Sequence, residues 1–196
     1  MATPKSQRIG IWVIAIVLFI GTIGSFAVMI LQSKNDQTAQ DQQQKLIEEY
    51  QKQMVEQQKK ADELSSQYYG EFSKYKDAPV AFDATTVGDK VATSDLKVGD
   101  GAEVAADTKY KAYYVGWNPK GKTFDSSITD GKLKTPLDAG PGSTIEGWAQ
   151  GVVGMKVGGV REITVPSDLG YKDKGSGDDI PPNTPLKFIV MIIAVE

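Results

Sequence analysis

Residues 9–31 read IGIWVIAIVLFIGTIGSFAVMIL, 23 consecutive positions without a charge. As a helix at ~1.5 Å per residue this run is about 34 Å long, enough to cross a hydrocarbon core of about 30 Å. It exceeds the roughly 7–15 residues of a signal-peptide core, and no clean small-x-small cleavage site follows it. The expectation is therefore an uncleaved transmembrane helix, with the lipid bilayer as a partner through 9–31. Lys5 and Arg8 precede the span, whereas Lys34 and Asp36 offset each other after it. By the positive-inside tendency, residues 1–8 form a cytoplasmic tail and everything after residue 31 lies outside, giving a single-pass protein of the cell membrane.

Residues 32–78 change character. Gln, Glu and Lys dominate, proline is absent until Pro79 and the one glycine is Gly70, so a long polar helix is expected. Ile47, Tyr50, Met54, Ala61, Leu64, Tyr68 and Tyr75 fit alternating spacings of three and four, with Gln57 and Glu71 breaking the seam. The seam is poor in branched aliphatics, which favours a solvated helical stalk over a coiled coil. Pairing of two chains into a homodimer stays open.

Residues 79–196 turn to strands and turns. The stretch 77–90 is an irregular lead-in. KYKAYYVGW (109–117) reads as a strand with Tyr110, Ala112 and Tyr114 on one face. NPKG (118–121) suits a type I turn and a hairpin into KTFDSS. Ile145, Trp148, Ala149 and Val152 share one face of a short helix, after which Gly154 is placed for a left-handed cap. VREITVP (160–166) is a strand stopped by proline, and LKFIVMIIAV (186–195) is a final strand apolar on both faces. Strands with one short helix against them make an α+β domain.

Composition narrows the chemistry. The chain has no histidine and no cysteine, which removes His-based triads, thiol nucleophiles, disulfides and the usual zinc ligands. A net charge of −3 argues against nucleic acid as a partner. What remains is carboxylates, hydroxyls, backbone groups and shape.

Five segments in order, LKVGDGAE, YYVGWNPKGKTFDSS, STIEGWAQGVVGMKVGG, VREITVPSDLGY and DDIPPNTPLKFIVMI, together resemble the FKBP-type peptidyl-prolyl isomerases. The match spans roughly Ser94 to Glu196. The resemblance implies a bent antiparallel β-sheet wrapped around one short α-helix, with a shallow apolar pocket between them. It also implies cis–trans rotation about X–Pro bonds without cofactor or metal, on proline-containing unfolded or nascent polypeptides. For a domain outside the cytoplasm these would be exported proteins.

Residue by residue, the resemblance makes Tyr114, Asp125 and Tyr171 the catalytic set. Phe124, Thr144, Ile145, Trp148, Ile180 and Phe188 become substrate-binding positions, with Trp148 the pocket floor and the Ile145 N–H a donor to a ligand carbonyl. Taken singly, each has a plainer reading: Asp125 as a turn residue, Tyr114, Trp148 and Phe188 as core, and Tyr171 as loop packing. Three departures stand out. Asp179 occupies a position usually apolar, Thr135 and Leu137 replace an aromatic wall residue, and the polar loop 172–179 is expected to add little to binding. They motivate an alternative, a catalytically weak peptide-binding or chaperone module on the same fold.

Overall fold

The computed structural model describes residues 37–196. The expected cytoplasmic tail and transmembrane span lie outside the described residues. Among the described residues no helix is long and apolar enough to cross a membrane.

Helix α1 runs over Gln37–Phe72. Its residues up to Gln53 belong to one unit and those from Met54 to a second, Met54–Glu196. In the first unit Leu46, Ile47 and Tyr50 are exposed. In the second the helix departs from the expected solvated stalk: Ala61, Ser65 and Phe72 are buried. The seam residues Leu64, Tyr68 and Tyr75, with Tyr69, pack beside Phe72 against Tyr113, Val115, Trp117, Ile189 and Met191. The regular spacing on the last turns thus faces this chain's own sheet. Phe72, fully buried, contributes about 1.5–3 kcal/mol by leaving water. The Ser65 hydroxyl accepts the Leu133 N–H at 2.9 Å, and Glu71 pairs with Lys97, so polar contacts fix the same docking.

Eight strands follow: β1 (Ala92–Lys97), β2 (Tyr110–Trp117), β3 (Thr123–Ser126), β4 (Ile128–Thr129), β5 (Lys132–Leu133), β6 (Leu137–Ala139), β7 (Val160–Val165) and β8 (Leu186–Val195). Helix α2 (Glu146–Val152) lies between β6 and β7. The main sheet is antiparallel in the order β1-β7-β8-β2-β3, while β6 pairs with the start of β2 and β4 pairs only with β5. Register shifts at Lys111/Ala112, Gly116/Trp117 and Asp95/Lys97 bend the sheet.

Strand β8 sits at the centre, and its period-2 alternation feeds two cores. Leu186, Phe188, Val190 and Ile192 face α2 together with Tyr110, Ala112, Ile163 and Val165. Ile189, Met191 and Ile193 face the other way, under Phe72. That is why the strand is apolar on both sides.

The 118–121 turn forms as expected, closed by the Gly121 N–H on the Asn118 carbonyl at 2.9 Å. The end of α2 does not. Val153 is extended (φ −57°, ψ 135°), Gly154 has φ +79°, and the Met155 N–H reaches the Val152 carbonyl at 3.0 Å. This is a type II turn rather than a left-handed helix cap. The Gly154 N–H is drawn instead to the Val104 carbonyl at 2.9 Å. The helix end is closed from outside by Arg161, whose guanidinium donates to the Gly151 and Val153 carbonyls at 3.0 Å each while pairing with Asp95. That pairing holds the Asp95 carboxyl below its usual range. Strand β1 itself has no counterpart in the sequence reading.

Candidate active site

A cavity of about 410 Å³ opens between the concave face of the sheet, α2 and the loop after β7. Its lining includes Tyr114, Phe124, Asp125, Thr144, Ile145, Trp148, Tyr171, Ile180 and Phe188, so all nine residues singled out from the sequence meet around one space. Leu137 of β6 lines it too, in the place where the resemblance leads one to look for an aromatic, whereas Thr135 is not among the lining residues. Ser143 also lines it, as do Ser176, Gly177, Asp178 and Asp179. The polar loop therefore supplies a wall of the cavity.

The floor is Trp148, 3 % exposed and turned by α2 onto the sheet. Two helix glycines permit this close approach: a Cβ at Gly147 would lie 2.3 Å from Val165 Cγ1, and one at Gly151 2.4 Å from Ile163 Cγ2. The indole N–H donates to the Tyr110 hydroxyl at 2.8 Å, satisfying its polar edge beneath the floor. Burial pushes the Tyr110 phenol above its ordinary pKa, partly opposed by that N–H. Thr144 Oγ1 is buried and makes no hydrogen bond of its own. Thr144 thus shapes the cavity edge rather than donating into a network.

The rings stand edge to face in a row. Tyr114 to Trp148 is 5.2 Å at 90°, Trp148 to Phe188 is 5.1 Å at 80°, and Phe188 to Phe124 is 5.6 Å at 82°. This geometry is the favoured one for aromatic quadrupoles. Gly116 makes room for it, since a Cβ there would sit 2.7 Å from Phe124 Cζ and 2.8 Å from Phe188 Cδ1. Ile180, 4 % exposed, closes the apolar cup.

Polar groups sit at the mouth. The Tyr114 hydroxyl donates to Asp125 Oδ2, while Asp125 Oδ1 accepts the Ser126 N–H at 2.7 Å and has the Lys134 ammonium 3.7 Å away. Burial, and then the Asp125 carboxylate, raise the Tyr114 pKa well above that of a free phenol, so it remains a donor at any physiological pH. Ile145 precedes α2 with extended dihedrals (φ −62°, ψ 151°), and its carbonyl accepts the Ala149 N–H at 3.1 Å. Its own N–H, at the helix start, has no intrahelical partner. Tyr171 is partly buried against the cup. Among the described residues no group of three or more metal-ligating side chains comes together.

Such a site can hold a small saturated ring against aromatic faces and grip flanking carbonyls with one backbone and one phenolic donor. It contains no nucleophile–base pair. The family model for FKBP-type peptidyl-prolyl cis-trans isomerases matches residues 100–193. The FK506-binding protein of Neisseria meningitidis serogroup A is 40 % identical over 101 residues, covering 52 % of this chain and 92 % of that one. FK506-binding protein 2 of Dictyostelium discoideum is 44 % identical over 89 residues, 44 % of this chain and 65 % of that one. A crystal structure of a peptidyl-prolyl cis-trans isomerase from Pseudomonas syringae pv. tomato is 28 % identical with a TM-score of 0.49, over 70 % of this chain and 95 % of that one. With nearly the whole of the Neisseria protein matched at that identity, the chain belongs to the FKBP-type peptidyl-prolyl cis-trans isomerases.

Proposed function

We propose that this isomerase acts on exported polypeptides outside the cytoplasm, held at the membrane by residues 9–31, and that the nine cavity residues divide the work. The observation that carries the catalytic part is the aromatic cup with the Asp125–Tyr114 pair at its mouth. Rotating a peptide bond breaks resonance at a barrier near 18–20 kcal/mol, and an X–Pro bond takes tens to hundreds of seconds unaided. Resonance makes the planar amide more polar than the twisted one. The cup of Phe124, Trp148, Ile180 and Phe188 holds the proline ring in either form, and moving the attached amide out of water beside it costs the planar form more, which lowers the barrier. The Ile145 N–H and the Tyr171 hydroxyl hold the flanking carbonyls so that the peptide enters already turned. Asp125 orients Tyr114 and sets a negative charge beside the rotating carbonyl carbon.

The location is supported by the uncharged run 9–31 and by Lys5 and Arg8 before it. Pairing of two chains is supported by Leu46, Ile47, Tyr50 and Met54, all exposed on α1.

The test uses residues 54–196, because cutting at residue 77 would strip Phe72 from the back of the sheet. A coupled proline-isomerisation assay is expected to show turnover well above background, falling strongly in folded Asp125→Ala and Trp148→Ala variants. Background rates in the folded wild type would reduce the role to peptide binding. For the full chain, protease added to intact cells should digest the domain and leave it in the membrane fraction otherwise; a protected or unbound domain refutes the placement. Sedimentation of the detergent-free 37–196 chain as a monomer would end the pairing.

A further inference from the structure

Asn118, just after β2, is a polar side chain only 5 % exposed, and both its oxygen and its nitrogen are hydrogen-bonded. Oδ1 accepts the Lys120 N–H at 3.0 Å and the Lys122 N–H at 3.1 Å, which shapes the turn into β3. Nδ2 leaves that turn and donates to the Asp179 carbonyl at 2.8 Å. The Lys122 ammonium, from the same turn, pairs with the Asp179 carboxylate. Both ends of Asp179 are thus held by the β2–β3 hairpin.

What hangs on Asp179 is a cavity wall. Asp178 and Asp179 line the space, and Ile180 beside them closes the apolar cup. The segment turns through left-handed backbone at Lys172 (φ +56°), Gly175 (+63°) and Gly177 (+58°), and of these only Lys172 carries a side chain that resists it. Most of its hydrogen bonds close the segment on itself or its near neighbours: Gly175 N–H to Tyr171 carbonyl at 3.1 Å, Ser176 N–H to Ile180 carbonyl at 2.8 Å, Asn183 N–H to Lys172 carbonyl at 2.7 Å. Two contacts reach across to the hairpin, the Asn118 amide bond and the exposed Lys122–Asp179 ion pair.

We infer that Asn118 is a positioning residue for the isomerase reaction, tethering the Asp178–Ile180 wall to the hairpin. Ile180 touches the proline ring in its planar and twisted forms alike, so a loosened wall weakens binding of both. That raises KM and leaves kcat nearly untouched. The ion pair alone contributes little, because its side chains are 62 % and 37 % exposed. The kinetic part rests on the isomerase reading; the mechanical part does not.

The discriminating variant is Asn118→Asp in the full chain. It keeps an acceptor for the Lys120 and Lys122 N–H groups but, when ionised, has no donor for Asp179. KM for a proline peptide is expected to rise about three- to tenfold with kcat within about twofold. The Ser176 amide should exchange about tenfold faster while β8 amides keep their wild-type rates. Asn118→Ala, which loses both acceptor and donor, should show the same split if the Asp variant does not fold. Unchanged KM and Ser176 exchange in a folded variant overturns the inference. So does a fall in kcat at constant KM, exchange accelerated uniformly through the domain, or failure of both variants to fold. A wild type without turnover would refute the isomerase reading, leaving Ser176 exchange to decide the tether by itself.

Discussion

Gly151→Ala sets two effects of known sign against each other. Alanine is the better helix former by about 1 kcal/mol, so an exposed helix would gain from the change. Here the new methyl would lie 2.4 Å from Ile163 Cγ2, 2.9 Å from Cδ1 and 3.2 Å from Cγ1. Carbon atoms ordinarily approach to about 3.5 Å, so the overlap is about 1 Å. Ile163 cannot retreat, being fully buried on a strand held between β1 and β8. Overpacking of this kind costs typically 1–3 kcal/mol, and so large an overlap calls for the upper end, about 3 kcal/mol. The net is a loss of about 2 kcal/mol, or a Tm lower by roughly 4–8 °C for a domain of this size.

The alternative to compression is a shift of α2 off the sheet by about the same 1 Å. That lifts Trp148 into the cavity and should cut kcat/KM by about tenfold or more. Thermal unfolding followed by circular dichroism, with peptide turnover measured alongside, reads both. Gly154→Ala is the contrast: nothing lies within 4 Å of its Cβ, but φ is +79°. It should lose about 1–2 kcal/mol to backbone strain while turning over normally. A Gly151→Ala protein as stable as the wild type would refute the claim that α2 is pressed against β7 by its glycines.

Tyr110→Phe leaves the Trp148 N–H buried without an acceptor and should cost about 1–3 kcal/mol in denaturant unfolding, with KM rising as the floor loosens; an unchanged midpoint would show that the hydrogen bond does not hold the indole. Unfolded tyrosines release protons near pH 10, whereas burial pushes Tyr113 up to about 12 and raises Tyr110 and Tyr114 as well. Above pH ~10 the unfolded state therefore binds fewer protons than the folded one, so stability should fall between about 10 and 12. With no histidine or cysteine in the chain, kcat/KM should be flat from about pH 6 to 9; a bell-shaped profile in that window would point to a titrating group outside the described site.

The cavity was legible because FD, IEGWAQG, DLGY and IPP stand in the order and spacing of the FKBP-type family. Taken singly, each had a plainer reading as turn, core or loop packing. The two strands halted or bounded by proline, β7 and β8, were readable as well. Strand β1 was not, because all six of its residues are exposed and ATSDLK has neither alternation nor aromatic weight. The docked end of α1 was hidden differently: Leu64, Tyr68 and Tyr75 announce an apolar stripe, but periodicity names no partner for a stripe. Gly154 showed its left-handed preference correctly, while the Val104 carbonyl that turns it into a type II turn lies fifty residues upstream. Asp179 looked like an intruder in an apolar rim until Asn118 and Lys122 were seen to meet it.

The central place of β8 bears on how such a chain is made. Strands β2 and β7 share no edge; each pairs with β8 instead. A nascent chain emerging N-terminus first delivers β2 and β7 before that middle member arrives, and until then the apolar faces of both stay open to water. Until β8 joins them, β2 and β7 are two apolar strands without the neighbour that each needs.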